Sequence, residues 1–418
     1  MSTTSLTEGT AVPTPAPLPW SALLALSTAA FTAVLTELLP AGLLPRMAPA
    51  LGVSEARVGF LVTGYAGASF AAAIPLTALL RGLPRRTVLV GALSGFALSN
   101  AVVALSSSYA LTFGARLVAG GMGGTLWAML AGYAARMVPA ERRGRAIAIV
   151  LAGITLALSL GVPAGTVLAG AVGWRAAFGV LAGLAVLLVG WVRWQVPAFP
   201  GEAPEARVPL VRVAALPGIP AVLSVTLFLL VGHQVMYTYV APFAAHAGFG
   251  RTGLVLLVFG AATVVGIWIT GVLVDGRLRA ALLGALGLCA AVMLALGLAA
   301  EVPGILLISV GLWGLAFGGA PTLIQTALVD ASGPERADVA TSLQTTVYNA
   351  GIAAGSLTGG VVLEDMGAGA LPWIALPLLV LALSVVTVAR RDAFPARRES
   401  SATAQTAAGT ARHSRRNA

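Results

Sequence analysis

The chain of 418 residues contains no lysine, a single cysteine and three histidines, and charged residues make up only 10% of it. Each scarcity removes a class of function. Without lysine there is no phosphate-loop signature of an ATPase, and no Gly-x-Ser-x-Gly elbow marks a serine hydrolase. The chain is therefore not expected to be an enzyme. Three scattered histidines and one cysteine supply no metal-spaced cluster, so neither a metal nor any other cofactor is expected. Cys289 alone cannot form an intrachain disulfide and leaves the redox compartment open. Average soluble domains carry roughly 25% charged residues. A chain that is 58% hydrophobic, with a mean hydropathy of +0.92, is not one of them. The +10 net charge is spread over loops and a tail, which argues for lipid-flanking arginines and against a nucleic-acid partner.

What the chain does have is long apolar runs. A bilayer core needs about 20 apolar residues per helix. Twelve stretches meet that need: 20–44, 57–79, 87–106, 110–136, 146–171, 175–194, then 217–243, 251–274, 280–300, 303–329, 339–363 and 371–390. Only helices satisfy the backbone of such segments in lipid, so an all-α membrane bundle follows. The gaps alternate in charge. Twenty arginines fall in every second gap and the C-terminal tail, against Arg46, Arg57, Arg175 and Arg251 in the others. This asymmetry places both termini in the cytoplasm. Residues 1–19 lack a basic, apolar leader and read as a disordered cytoplasmic tail, as do residues 391–418. Between the two sets of six spans, Pro197, Pro200, Pro204 and Pro209 alternate with charges, so residues 195–216 read as a cytoplasmic linker between bundles at 20–194 and 217–390. Gly120 and Gly314, Gly124 and Gly318, Gly161 and Gly355, and Gly165 and Gly359 are all separated by 194 positions, the mark of two repeated halves.

Three motifs carry a resemblance. Arg116-Leu-Val-Ala-Gly120 resembles the Arg-x-x-x-Gly motif of the major facilitator superfamily. Gly161-Val-Pro163-Ala-Gly165 is similar to its antiporter motif, and Gly271-Val-Leu-Val-Asp275-Gly-Arg277 to its loop signature. The segments from Thr36 to Pro45, Gly173 to Arg175, His233 to Phe243 and Ala337 to Gly351 narrow the likeness to the sugar-efflux and arabinose-efflux-like branch of the drug:proton antiporters. The resemblance implies twelve spans in two pseudo-symmetric six-helix halves, a central cavity between spans 1, 4, 7 and 10, and proton-coupled export of a sugar, glycoside or drug-like compound from a bacterial cytoplasmic membrane. The expected partners are that small molecule, protons and the bilayer, with the chain working as a monomer. A non-transporting sensor or scaffold that keeps the same fold is the alternative. In the first half the loop signature has decayed: Thr77 and Arg81 stand where glycine and aspartate belong.

Candidate residues follow from polarity in an apolar setting. Glu37 is the one acidic side chain placed deep in a span, and such carboxylates are costly enough to suggest function. Arg116 lies at a similar depth, about 10 Å below the same surface by helical rise. The two are expected to pair, either as a proton-coupling device or as a permanent ion pair that fixes register. His233 and Tyr237, four apart on one helical face, read as a substrate grip or as packing residues. Gln325 and Asn349 are uncharged polar groups that line a cavity or bond helix to helix. Gly161, Pro163 and Gly165 suggest a hinge. Asp275 and Arg277 read as a cytoplasmic gate or as helix-end charges in water. Pro40 and Pro45 are expected to kink and end the first span.

Overall fold

The computed structural model describes residues 18–80, 82–139, 142–201, 210–333, 336–390 and 393–394, without the side chains of 74, 77, 78, 210, 211, 274–276, 303, 337 and 338. Most of both tails and residues 202–209 of the linker lie outside the described residues.

The first rod is α1 (Trp20–Leu38), closed by a 3-10 turn (Leu39–Gly42) and followed by the short α2 (Leu44–Leu51). Then come α3 (Glu55–Leu80), α4 (Arg85–Leu105) and α5 (Tyr109–Arg136). The fifth rod is composite: α6 (Arg143–Leu156), a π-helical turn (Ala157–Gly161) and α7 (Val162–Val172). The sixth is α8 (Trp174–Gln195), and a short α9 (Leu210–Ala214) lies in the linker. The second half runs α10 (Ile219–Tyr237), the short α11 (Val240–His246), α12 (Thr252–Ala299), α13 (Pro303–Ser332), α14 (Ala337–Asp365) and α15 (Leu371–Val388). Non-helical angles at Arg277 divide α12 into two rods, so that each half has six.

Among the described residues, ten of these rods are long and apolar enough to cross a membrane. The other two, α3 and α14, span 26 and 29 residues. Large apolar side chains such as Leu98, Leu187, Trp194, Trp268 and Ile308 point away from the bundle, as a lipid-facing surface requires. Hydroxyls on the rods bond back to the carbonyl one turn earlier, as in Thr32 to Thr28, Thr226 to Val222 and Thr263 to Phe259, which satisfies them without water.

The repeat is visible in contacts. A methyl at Gly120 would meet the Tyr65 backbone, and one at Gly314 would meet that of Phe259. Gly124 abuts Ser69 in the same way, and Gly318 abuts Thr263. Each pair of partners is again 194 positions apart. Helix termini are capped with the same symmetry. Arg86, at the start of α4, donates to the carbonyls of Arg193 and Val196 at the end of α8. Arg279 donates to that of Thr387 in the last turn of α15 and to that of Phe394 beyond it. Guanidinium groups thus fill the orphan carbonyls that every helix end leaves.

One end of the bundle carries the start of α1 and the end of α15 and is called the termini end; the other is called distal below. Buried residues divide unequally between the two ends. The distal part of the first half, including Val34–Leu51 and Val58–Ala66, shares one apolar core with the second half. The termini-end part of the first half, including Ala22–Ala33, Leu126–Ala134 and Ala185–Val196, has a core of its own that, among the described residues, contains none from the second half. The halves are joined distally and separate toward the termini.

Candidate functional site

The site begins where α1 breaks. Pro40 has no N–H to offer the Thr36 carbonyl four residues earlier, and the chain tightens into the 3-10 turn at Leu39–Gly42. Arg116 on α5, only 1% exposed, takes up the freed groups. Its guanidinium donates to the backbone carbonyl of Thr36, to that of Glu37 at 2.8 Å, and from Nε to that of Leu61 at 3.2 Å. The Tyr65 ring lies 4.8 Å beneath it in a cation–π contact. Asn100 donates to the Thr36 hydroxyl at 3.0 Å and steadies the same turn.

The expected pairing takes a different form. Arg116 and Glu37 lie within electrostatic reach of each other, but the arginine's hydrogen bonds go to backbone carbonyls, the glutamate's own among them. The side chain of Glu37 is 6% exposed, and its Oε1 has no hydrogen-bond partner. Tyr65 of the first half and Tyr348 of the second lie within electrostatic reach of that carboxylate, beside the core that the two halves share.

A second polar group sits in the other half. His233 and Tyr237 on α10 stack with centroids 5.1 Å apart. The His233 ring lies flat on Phe317 at 3.5 Å, with Trp313 at 5.1 Å and Phe259 at 5.8 Å. All five rings are buried, yet His233 Nδ1, Tyr237 Oη and the neighbouring Gln234 Nε2 have no partner. Such unpaired buried polar atoms are uncommon and call for an explanation. The cluster borders the inter-half contact, since Gly260, next to Phe259, abuts the backbone of Leu158 and Ser159 in the π turn.

The remaining candidates are scattered. Asn349 is buried but donates to Thr345 of its own helix. Gln325 is exposed, eight residues beyond Phe317 and so about 12 Å farther along α13; the ring cluster does not include it. Gly161, Pro163 and Gly165 fall at and just after the π turn, where Pro163 withholds an N–H from the Ser159 carbonyl. Arg277 is exposed and marks the break in α12, while the Asp275 side chain lies outside the described residues. Sequence reasoning did not single out Tyr65, Phe259, Phe317 or Tyr348. Tyr65 and Phe259 carried a usable signal, since they sit 194 apart opposite Gly120 and Gly314. Tyr348 carried none, because its approach to Glu37 crosses between the halves.

Two six-rod bundles that share a core at one end, with buried polar groups near the join, have the architecture of a membrane transporter. The family model described as Major Facilitator Superfamily matches residues 26–275 and 246–417. The chain belongs to the major facilitator superfamily, and its curated relatives are of the efflux type. It is 30% identical over 382 residues to the purine ribonucleoside efflux pump NepI of Salmonella enteritidis PT4, covering 89% of this chain and 94% of that one. It is likewise 30% identical over 379 residues to the same-named pump of Escherichia coli O157:H7, covering 88% and 93%. Among solved structures, a D-xylose-proton symporter superposes with a TM-score of 0.74 at 18% identity over 91% of this chain and 99% of that one. A bacterial homolog of the human lysosomal transporter Spinster, solved inward-facing and occupied, gives 0.74 at 15% identity over 92% and 100%. These two likenesses concern the fold alone.

Proposed function

We propose that this carrier exports flat, hydroxylated molecules of the purine-ribonucleoside kind across the cytoplasmic membrane in exchange for protons. The single observation that carries the reading is the Glu37 carboxylate, buried with Oε1 unpartnered while Arg116 is engaged on backbone carbonyls. A permanent ion pair would have no reason to leave that oxygen free. A group that must take up and release a proton needs it free.

The cargo class draws on two supports. The relatives are named for purine ribonucleosides. A nucleoside also joins the two chemistries that the second half offers: ring faces at His233, Tyr237, Phe259, Trp313 and Phe317 on which a base stacks, and unpaired polar atoms for its ring nitrogens and sugar hydroxyls. With the arginine-rich end in the cytoplasm, as the loop charges argue, the form described here is open inward. In the proposed cycle, cargo enters from the cytoplasm while Glu37 is ionised. The halves rock about the π turn and Pro163, the distal end opens, a proton from outside takes Glu37, and the cargo leaves. Gln325 and Asn349 are assigned no contact with cargo in this scheme, and Arg116 positions Glu37.

Everted membrane vesicles test the cargo class. A pH jump is imposed and uptake is followed for purine ribonucleosides, free sugars and hydrophobic cations. The expected result is saturable uptake of ribonucleosides with mutual competition among them. Saturable uptake of sugars or cations that ribonucleosides do not inhibit would replace the cargo class.

A further inference from the structure

One aromatic side chain joins the two halves at the distal end and has no place in the cycle above. Tyr239 sits at the break between α10 and α11 with non-helical angles (φ −110°, ψ 24°) and no exposed surface. Its hydroxyl donates to the Ser356 carbonyl on α14 at 2.7 Å, and the preceding Thr238 hydroxyl bonds that of Ser356 at 2.7 Å. These bonds fix the ring to the second half. Its other face enters the first half. A methyl at Gly59 on α3 would overlap Oη, Cε1 and Cζ of the ring, so only glycine leaves room. On the second-half side, a Cβ at Gly359 would come within 2.8 Å of Tyr239 Cδ2 and Cε2. Gly360 is pressed between Tyr239 and Phe60 of α3. The ring thus fills a notch with glycine on both sides, one wall from each half, where the two halves share their core.

We propose that Tyr239 is the plug that closes the distal mouth, with Gly59 as its socket, so that opening this end requires the ring to leave the first half. Under the orientation argued above, this is the outer gate. The assignment rests on that orientation for the side it names but not on the cargo or on proton coupling. Because interiors are close-packed, a plug of this kind has seated and unseated positions rather than a continuum. A Cβ at Gly59 is tolerated when the ring is out and overpacked when it is in.

The test uses the full chain in lipid nanodiscs, with spin labels at Ser107→Cys and Glu301→Cys, exposed positions at the distal ends of the two halves. Cys289 is buried and stays unlabelled. Gly59→Ala is expected to raise the distally open population about tenfold, the factor that even a modest overpacking cost carries. Gly67→Ala, where a Cβ meets nothing within 4 Å, is expected to leave it unchanged. Tyr239→Ala opens the same end by itself, and adding Gly59→Ala to it changes nothing further, because the methyl then has no ring to meet. Distance distributions in Tyr239→Ala that match the parent would overturn the proposal. So would effects of the two substitutions that simply add. Since Tyr239→Ala adds no bulk, it decides the matter even where Gly59→Ala does not fold, and neither readout depends on transport.

Discussion

At the scale of single residues, the arrangement around Pro40 explains why a guanidinium is buried at all. A proline inside an apolar rod strands the carbonyl four residues back, and lipid offers no water to satisfy it. Arg116 supplies donors to the Thr36 and Glu37 carbonyls, with the Tyr65 ring covering its face. Replacing it with glutamine strands those carbonyls, and each orphaned buried group costs about 1–3 kcal/mol. Arg116→Gln is therefore expected to lower stability by about 2–6 kcal/mol in a chemical denaturation series. The loss is expected to shrink in a Pro40→Ala background, where the new N–H reaches the Thr36 carbonyl. If the arginine serves chiefly as counter-charge to Glu37, the opposite holds: Glu37→Gln relieves the loss and Pro40→Ala does not. The closeness of Arg116 and Glu37 was legible from their equal depth in the sequence. Which atoms the guanidinium takes was not, because that depends on a carbonyl freed by a proline and on a rotamer set by packing.

Among the helices, apolar run length located the rods, while their internal irregularities escaped it. Proline and glycine marked the end of the first span at Pro40 and Pro45 and the bend at Gly161–Gly165, beside the short α2 and the π turn at Ala157–Gly161, but nothing marked the break at Tyr239. A five-residue π turn leaves hydropathy unchanged, since it alters which carbonyl each N–H meets and not which side chains are apolar. Glycine spacing was more informative. The 194-residue offset marked Gly120 and Gly314, and each of these lets its helix rest on a neighbouring backbone, at Tyr65 and at Phe259. Gly120→Ala and Gly314→Ala are accordingly expected to lower the melting temperature by similar amounts, each through an overpacking cost of about 1–3 kcal/mol. Gly114→Ala, where a Cβ meets nothing within 4 Å, serves as the neutral control in the same thermal series. Unequal losses, or a loss at Gly114 as large as the others, would undo the argument from symmetry.

For the whole molecule, the division of the apolar core carries the most meaning. The halves are fused distally and apart toward the termini, which is one of the two arrangements an alternating-access carrier visits. Sequence patterning predicts two halves and their relative orientation in the bilayer. It carries no trace of which end is closed, because both states use the same residues with different partners. Glu37, buried within electrostatic reach of Tyr348 across the join, sits at the boundary that a change between the two arrangements would have to rework. The central claim is that this carboxylate couples export to protons. The most direct measurement counts protons released per ribonucleoside taken up, in proteoliposomes holding the wild type or Glu37→Gln under an imposed pH gradient. The account predicts coupled, gradient-driven uptake in the wild type and, in Glu37→Gln, exchange of ribonucleoside across the membrane that ignores the gradient. Uptake by Glu37→Gln that follows the pH gradient as the wild type does would contradict it.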